Sequence, residues 1–396
     1  MNREDFKMLD GNLIYFDNGA TTLKPSILTD ATIKYYNEYT ANAHRGDYDL
    51  SLKVDNEYES AREKVAKFIN ADTNEVAFTS GTTDSLNKII FGYFGNYLKE
   101  NDEVIISKSE HASNVLPWYE LKDKLNINIK FVELNLDYTV SLENIKKLIN
   151  ENTKVISLAH ITNVVGDERD IKAITKLAHE HNILVLVDGA QSIPHIKVDV
   201  KDLDIDFLAF SAHKMCGPTG VGVLYGKYDL LCYMKPIIVG GGMNASFEDD
   251  FNKQYSSVPH KFEAGTPNIA GVIAFGYVID YLNSIGMDKI KSYEEELKRY
   301  AVEKLKQNKN ITIYNDNTKS GIIAFNYKNI FAQDLAIYLN KYNICVRAGN
   351  HCAKILKNEL KVKNTCRISF YFYNTKEEID KLVTVLENDN IMNELF

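Results

Sequence analysis

The chain has 396 residues, of which 45% are hydrophobic, and its 46 basic against 54 acidic side chains leave a formal charge of -8. That length suffices for a large core and roughly two or three domains, and the acidic balance argues against nucleic acid as a main partner, since phosphate binding needs a clustered excess of Lys and Arg. Residues 1–8 lack the apolar core of a signal peptide, no later segment reads as a membrane span, and the five widely spaced cysteines without a CxxC pair suggest neither a disulfide framework nor a metal site. No metal and no membrane are therefore expected, and a reducing cytoplasmic setting is.

Short apolar runs at Val76–Thr79, 104–107, 155–159, 183–187 and 207–210 alternate with helical patterns. Such runs fit strands buried on both faces of a mostly parallel sheet. Between the third and fourth lies 171–181, with Ile171, Ile174 and Leu177 on one helical face. This βαβ order predicts an α/β domain. Gly265 and Gly271 bracket Thr266-Pro267-Asn268, after which 272–282 reads as a buried helix. Dense charges of mixed sign at 291–308 read as a solvated helix face. A strand (322–325), a helix (332–341), a strand (345–347) and a last helix from Lys376 then predict a smaller α+β domain. The expected division is 17–268 for the large domain, 269–284 for a connecting helix, and 1–16 with 285–396 for the small domain.

In an open parallel sheet, ligands bind outside the carboxyl ends of the strands. The first run delivers Ser80-Gly81-Thr82-Thr83 at a helix start, which offers hydroxyls and amides to a phosphate. Glu110 and His111 follow the second run, Asn163 the third, and Asp188-Gly189-Ala190-Gln191 the fourth. The fifth delivers Ser211-Ala212-His213-Lys214, with a turn at Gly217-Pro218-Thr219-Gly220 behind it. A lysine beside an acid, an amide, an imidazole and a phosphate cradle is what pyridoxal 5'-phosphate needs. A nucleotide site is the competing use of such a rim, but the sequence holds neither GxGxxG after the first strand nor GxxxxGK[ST].

Four stretches are the most specific: Val187-Asp188-Gly189-Ala190-Gln191, Ser211-Ala212-His213-Lys214, Phe262-Glu263-Ala264-Gly265-Thr266-Pro267-Asn268 and Arg347-Ala348-Gly349-Asn350-His351-Cys352-Ala353. Together, from Tyr15-Phe16-Asp17-Asn18-Gly19-Ala20-Thr21-Thr22 to Cys366-Arg367-Ile368-Ser369, the chain resembles the class V aminotransferase group of fold type I pyridoxal enzymes, and within it the type II, SufS-like cysteine desulfurases. The resemblance implies an aspartate aminotransferase-like fold and a homodimer that turns L-cysteine into L-alanine. The sulfur would be held as a persulfide on Cys352 and passed to a SufE-like or SufU-like protein acceptor, for iron–sulfur cluster assembly. By the same resemblance Lys214 is the Schiff-base lysine, Asp188 the partner of the pyridine nitrogen, Gln191 that of the phenolic oxygen, and His111 the ring-stacking imidazole. Thr82, Thr83, Ser211 and His213 hold the phosphate, and Thr266 reaches the phosphate of the other subunit. Asn163, Arg347 and Arg367 orient the substrate, Arg367 gripping its carboxylate with a guanidinium fork.

A thiol ordinarily has a pKa of about 8.5, so a sulfur carrier needs neighbours that favour the anion, and Arg347 and His351 are the candidates. The chain departs from the family pattern at Asp47-Tyr48-Asp49, where a histidine often follows His44-Arg45-Gly46. It departs again at Asn350, in place of a second histidine, and at Gln333, in place of a histidine before Asp334. The alternative activities are a selenocysteine lyase or another class V enzyme; a transaminase has no use for Cys352, and a non-catalytic scaffold none for Lys214, Asp188 and His111.

Overall fold

The computed structural model describes residues 3–44, 46–314 and 316–388 together with Ile391 and Glu394. Arg45 of the His44-Arg45-Gly46 motif and the outermost parts of 1–16 and 285–396 lie outside the described residues. Seven strands form the large sheet: β1 (Val76–Thr79), β2 (Glu103–Ser107), β3 (Asn128–Val132), β4 (Thr153–Ala159), β5 (Leu184–Asp188), β6 (Phe207–Ser211) and β7 (Gly222–Gly226), in the order β1-β7-β6-β5-β4-β2-β3. All pairs are parallel except those of β7, which runs against both β1 and β6. Val155, Ile156, Leu158, Val185, Leu186 and Val187 are buried to within a few per cent, because helices cover both faces.

The βαβ step between β4 and β5 shows how the sequence makes this layer. Asp170 accepts the Ala173 amide at 3.0 Å and so caps helix α1 (Ile171–Glu180), a contact worth about 1 kcal/mol in such positions. Ile171, Ile174, Leu177 and Ala178 then enter the core on one face. The register sets Asp188 beside Ala159 on one side and Ala209 on the other. Three carboxyl ends therefore open on the same rim.

Helix α2 (Ile269–Ile285) is buried along most of its length and leads, through Gly286, into α3 (Met287–Leu305). The pair bends by 71°, and among the described residues no single helix is long and apolar enough to cross a membrane. The small domain carries an antiparallel sheet of β8 (Ile311–Tyr314), β9 (Ile322–Tyr327), β10 (Arg347–Gly349) and β11 (Thr365–Ser369), in the order β8-β9-β11-β10. The N-terminal segment joins this layer, since Ile14–Tyr15 pairs in parallel with Ile344–Cys345 and Asp17 bridges to Ser369. A seam of Val164 and Val165 with Ala324, Ala353, Leu356 and Leu360 packs the two layers together beside Cys352.

Three expectations need correction. The strand expected at 345–347 is broken: Ile344–Cys345 pairs with the N-terminal strand while Arg347–Gly349 pairs with β11, so Val346 marks a change of partner. The sheet also contains β3 and β7, which the apolar runs did not disclose. Finally, the charged stretch 291–308 is not wholly solvated. Glu294 is buried with His195 at 2.8 Å, and Lys298 is buried and donates to the Ile322 carbonyl.

Candidate active site

A cavity of about 240 Å³ opens at the rim, between the two layers. Every candidate site residue lines it except Thr266, which is exposed and away from this chain's cavity. The first wall comes from β1 and β6. Gly222 lies so close to Gly81 that a Cβ there would sit 2.3 Å from the Gly81 Cα. The close approach puts the start of helix Thr82–Ile89 against Ser211, whose Oγ accepts the Thr82 amide at 2.7 Å and meets the Thr82 hydroxyl at 2.6 Å. Thr83 Oγ1 pairs with Ser113 Oγ at 2.7 Å. His213 Nδ1 donates to Thr21 Oγ1 at 3.2 Å, while Thr21 Oγ1 donates to the His213 carbonyl at 3.0 Å.

The floor is Asp188, Gln191 and Lys214. Asp188 accepts the Ala190 amide at 2.9 Å, and burial nevertheless raises its pKa to about 6. Burial lowers Lys214 to about 8, with Asp188 opposing and Arg367 and Arg347 reinforcing the shift. Its amine is thus far more often neutral near pH 7 than an ordinary lysine's. Gln191 donates one amide hydrogen to the Gly19 carbonyl at 2.8 Å and keeps a second available, while its buried Oε1 has no partner.

His111 accepts the Ser113 amide on Nδ1 at 3.2 Å. The ring proton therefore resides on Nε2. Burial, then Lys214 and the two arginines, lowers its pKa to about 4, so the imidazole is neutral. Glu110, read as part of the rim, is instead turned into the protein. It pairs with Arg169 at 2.5 Å and accepts from Ser107, Asn114 and the Ala159 amide, forming a buried plinth beneath the cavity.

The small domain supplies the far wall. Arg347 and Arg367 stand directly opposite each other on β10 and β11. Like charges so placed repel. Asp17 lies between them, 3.1 Å from Arg367 Nη2 and 3.6 Å from Arg347 Nη1. Arg367 is 2% exposed, donates from Nη1 to the Asn163 carbonyl at 2.8 Å, and leaves a buried Nε without a partner. Gly19 makes room for it: a Cβ there would approach the guanidinium to 3.1 Å.

Cys352 is exposed at the cavity mouth, and both it and His351 hold left-handed backbones, at φ 55° and 50°. The Cys352 carbonyl accepts the Ala112 amide at 2.7 Å, and the His351 carbonyl accepts the Asn163 side-chain amide at 2.7 Å. The Asn163 NH₂ is thus engaged with the cysteine loop as well as facing the cavity. His351 does not serve as a cation for the thiol. Its Nε2–H donates to the Thr365 carbonyl at 3.1 Å, and burial lowers its pKa to about 3. Of the two candidates only Arg347 carries charge. Sequence reasoning also gave no role to Asp17 or Ser113. Asp17 lies in a quoted motif, and Ser113 stands two residues after His111, where an N-cap partner is common.

A family model for class V aminotransferases matches residues 14–382. The chain belongs to that family. A protein of Halalkalibacterium halodurans named as a probable cysteine desulfurase is 43% identical over 95% of this chain and 92% of its own. Among solved structures, the apo cysteine desulfurase of Thermococcus onnurineus NA1 superposes with a TM-score of 0.94 at 35% identity, covering 97% of this chain and 96% of that one. The Escherichia coli cysteine desulfurase CsdA, in an S-sulfonic acid form, gives 0.93 at 35% identity, covering 100% and 98%.

The donors in this family member's cavity fit pyridoxal phosphate. Hydroxyls converge at a helix N-terminus, a carboxylate shares the floor with a lysine of lowered pKa, and the buried Arg367 Nε and the second Gln191 N–H still await acceptors.

Proposed function

We propose that the chain is a pyridoxal-phosphate-dependent cysteine desulfurase in which Cys352 receives the sulfur of L-cysteine and hands it to a protein thiol. The observation that carries this reading is an exposed cysteine fixed at the mouth of a cavity whose floor carries both Lys214 and Asp188. When bound, the cofactor supplies an electron sink that stabilises negative charge at the substrate Cα.

The chain's own groups do the rest. Thr82, Thr83, Ser211 and His213 would hold the phosphate, Asp188 would serve the pyridine nitrogen, Gln191 the phenolic oxygen, and neutral His111 the ring. Arg367 takes the substrate carboxylate, with Asn163 and Arg347 at its sides. Lys214 Nζ, held near a pKa of about 8, takes up and returns the Cα proton. The Cys352 thiolate attacks the substrate sulfur; the carbon–sulfur bond breaks as a sulfur–sulfur bond forms, and a proton replaces sulfur on carbon. The sum is L-cysteine plus the Cys352 thiol giving L-alanine plus the Cys352 persulfide. The large domain spans 17–268, the small domain 1–16 with 285–396, and 269–284 connects them. Thr266 reaches the phosphate site of a second copy in a homodimer. Five unpaired thiols suit the cytoplasm, and iron–sulfur cluster assembly is the process served.

The test is incubation of the protein with L-cysteine under non-reducing conditions, measuring alanine and one added sulfur on the Cys352 peptide by mass spectrometry. Cys352→Ser should lower alanine release by orders of magnitude, since a hydroxyl is barely ionised near neutral pH. Wild-type alanine release by Cys352→Ser, or the added sulfur on another cysteine, refutes the reading.

A further inference from the structure

The segment that follows Cys352 is basic in a chain that is otherwise acidic. Residues 353–364 read Ala-Lys-Ile-Leu-Lys-Asn-Glu-Leu-Lys-Val-Lys-Asn, four lysines against one glutamate, whereas the whole chain carries -8. The glutamate, Glu359, is already paired with Lys108 at 3.2 Å. The helix Lys354–Glu359 and the residue after it spend their apolar side on the seam, through Leu356 and Leu360, so the lysines are left outward. Lys354, Lys361 and Lys363 are exposed and Lys357 is half-buried. Among the described residues none of the four has an ion-pair partner. The strip continues into a depression of about 510 Å³ lined by Lys363 with Lys309 and Lys328, both exposed and equally without a carboxylate, around a half-exposed Phe331.

Unpaired lysines at this density are not a stability device, because they repel one another. Nor do they serve the substrate, whose carboxylate site is the buried Arg367. Their place is the surface that a macromolecule must cover to reach the exposed sulfur of Cys352.

Resting on the desulfurase reading above, we propose that this strip is the docking surface for the sulfur acceptor, and that the acceptor is a protein presenting its thiol within an acidic face. The transfer it would guide is balanced without any added oxidant or reductant. The acceptor thiolate attacks the outer sulfur of the Cys352 persulfide, a new sulfur–sulfur bond forms as the old one breaks, and Cys352 leaves as a thiolate that takes the acceptor's proton. The lysines act on encounter and orientation, so their effect should fall with ionic strength.

The experiment loads the full-length holoenzyme with L-cysteine, removes excess substrate, and offers three synthetic peptides, each with one cysteine flanked by Asp and Glu, by Gly and Ser, or by Lys. Sulfur transfer to each is followed by mass spectrometry and expressed per thiolate, since acidic flanks raise a thiol's pKa. The acidic peptide should react roughly tenfold faster than the neutral one at about 0.01 M salt, the lysine peptide slower than both, and the differences should shrink toward unity at about 1 M. The combined variant Lys354→Glu, Lys357→Glu, Lys361→Glu, Lys363→Glu should reverse the order, while its alanine release with a small neutral reductant stays within about twofold of wild type. If that variant fails to fold, Lys354→Gln with Lys361→Gln and Lys363→Gln should abolish the preference. Equal rates for acidic and neutral peptides, or a preference that survives loss of the lysines, overturns the docking surface alone. Absence of any persulfide on Cys352 instead refutes the desulfurase reading on which it rests.

Discussion

Replacing Glu110 by glutamine should unfold the protein more than it alters the cavity lining, although the residue sits one position before His111. Glu110 is 2% exposed and accepts four hydrogen bonds, from Ser107 Oγ, Arg169 Nη1, Asn114 Nδ2 and the Ala159 amide. Facing one way the new NH₂ meets the Asn114 and Ala159 N–H groups, facing the other it meets the Arg169 guanidinium, so either way donor opposes donor, and Arg169 loses its shortest ion pair. Breaking a buried pair from one side costs about 3–5 kcal/mol. Arg169 keeps Asp167 at 3.4 Å, a longer contact, which places the expected loss near the lower end, about 3 kcal/mol. Urea unfolding followed by circular dichroism, at matched cofactor occupancy, should show the midpoint falling with an unchanged slope. The β4 end should loosen with it, because Arg169 also donates to the Ala159 carbonyl beside Asp188. A loss under about 1 kcal/mol would refute the claim that this network is the plinth of the site.

The lowered Lys214 pKa makes cofactor uptake by the apoprotein rise with pH as the amine becomes neutral, and level off above about 8; an absorbance time course that keeps rising toward the ordinary lysine range contradicts the burial argument. Gly19→Ala, whose Cβ would press the Arg367 guanidinium at 3.1 Å, should raise the KM for cysteine roughly tenfold with normal cofactor uptake. A KM like that of wild type would show that Arg367 is free to yield or does not grip the substrate. Sedimentation should give about twice the 45.0 kDa chain mass, and Thr266→Ala should weaken cofactor retention several-fold, about 1 kcal/mol for one hydrogen bond. A monomer with full cofactor occupancy removes the argument for Thr266.

The strand ends that carry Thr82, His111, Asn163, Asp188 and Lys214 could be read from sequence because each follows a short buried apolar run in a mostly parallel sheet covered on both faces. β3 was not readable: as an edge strand it shows Asn128, Ile129, Lys130 and Phe131 all partly exposed, so neither alternation nor a continuous apolar run appears. β7 hid behind its glycines, of which Gly222 serves the approach to Gly81 and Gly226 the packing of Leu231 and Phe207. Other misses depend on partners remote in sequence. Glu294 is tolerated in the core because His195 meets it from the large domain, and Lys298 because the β9 carbonyl of Ile322 receives it. Nothing within 291–308 records either. Which ring nitrogen of His351 carries its proton is set in the same way, by a carbonyl fourteen residues on, at Thr365, while burial keeps the ring neutral.

That last contact changes what the cysteine loop can do. His351 is anchored to Thr365, its carbonyl to Asn163, and the Cys352 carbonyl to Ala112, so the loop is held from the small domain and from the large one at once. Two consecutive left-handed residues, each costing on the order of 1 kcal/mol, persist only where the surroundings over-determine them. A loop pinned in this way does not carry its sulfur to a distant partner. The short reach serves the first half of the reaction, since Cys352 already lines the cavity that holds Lys214. It also obliges the second half to occur at the cavity mouth, so the acceptor has to come to Cys352 and must find a surface there. On the docking proposal, that surface is the lysine strip.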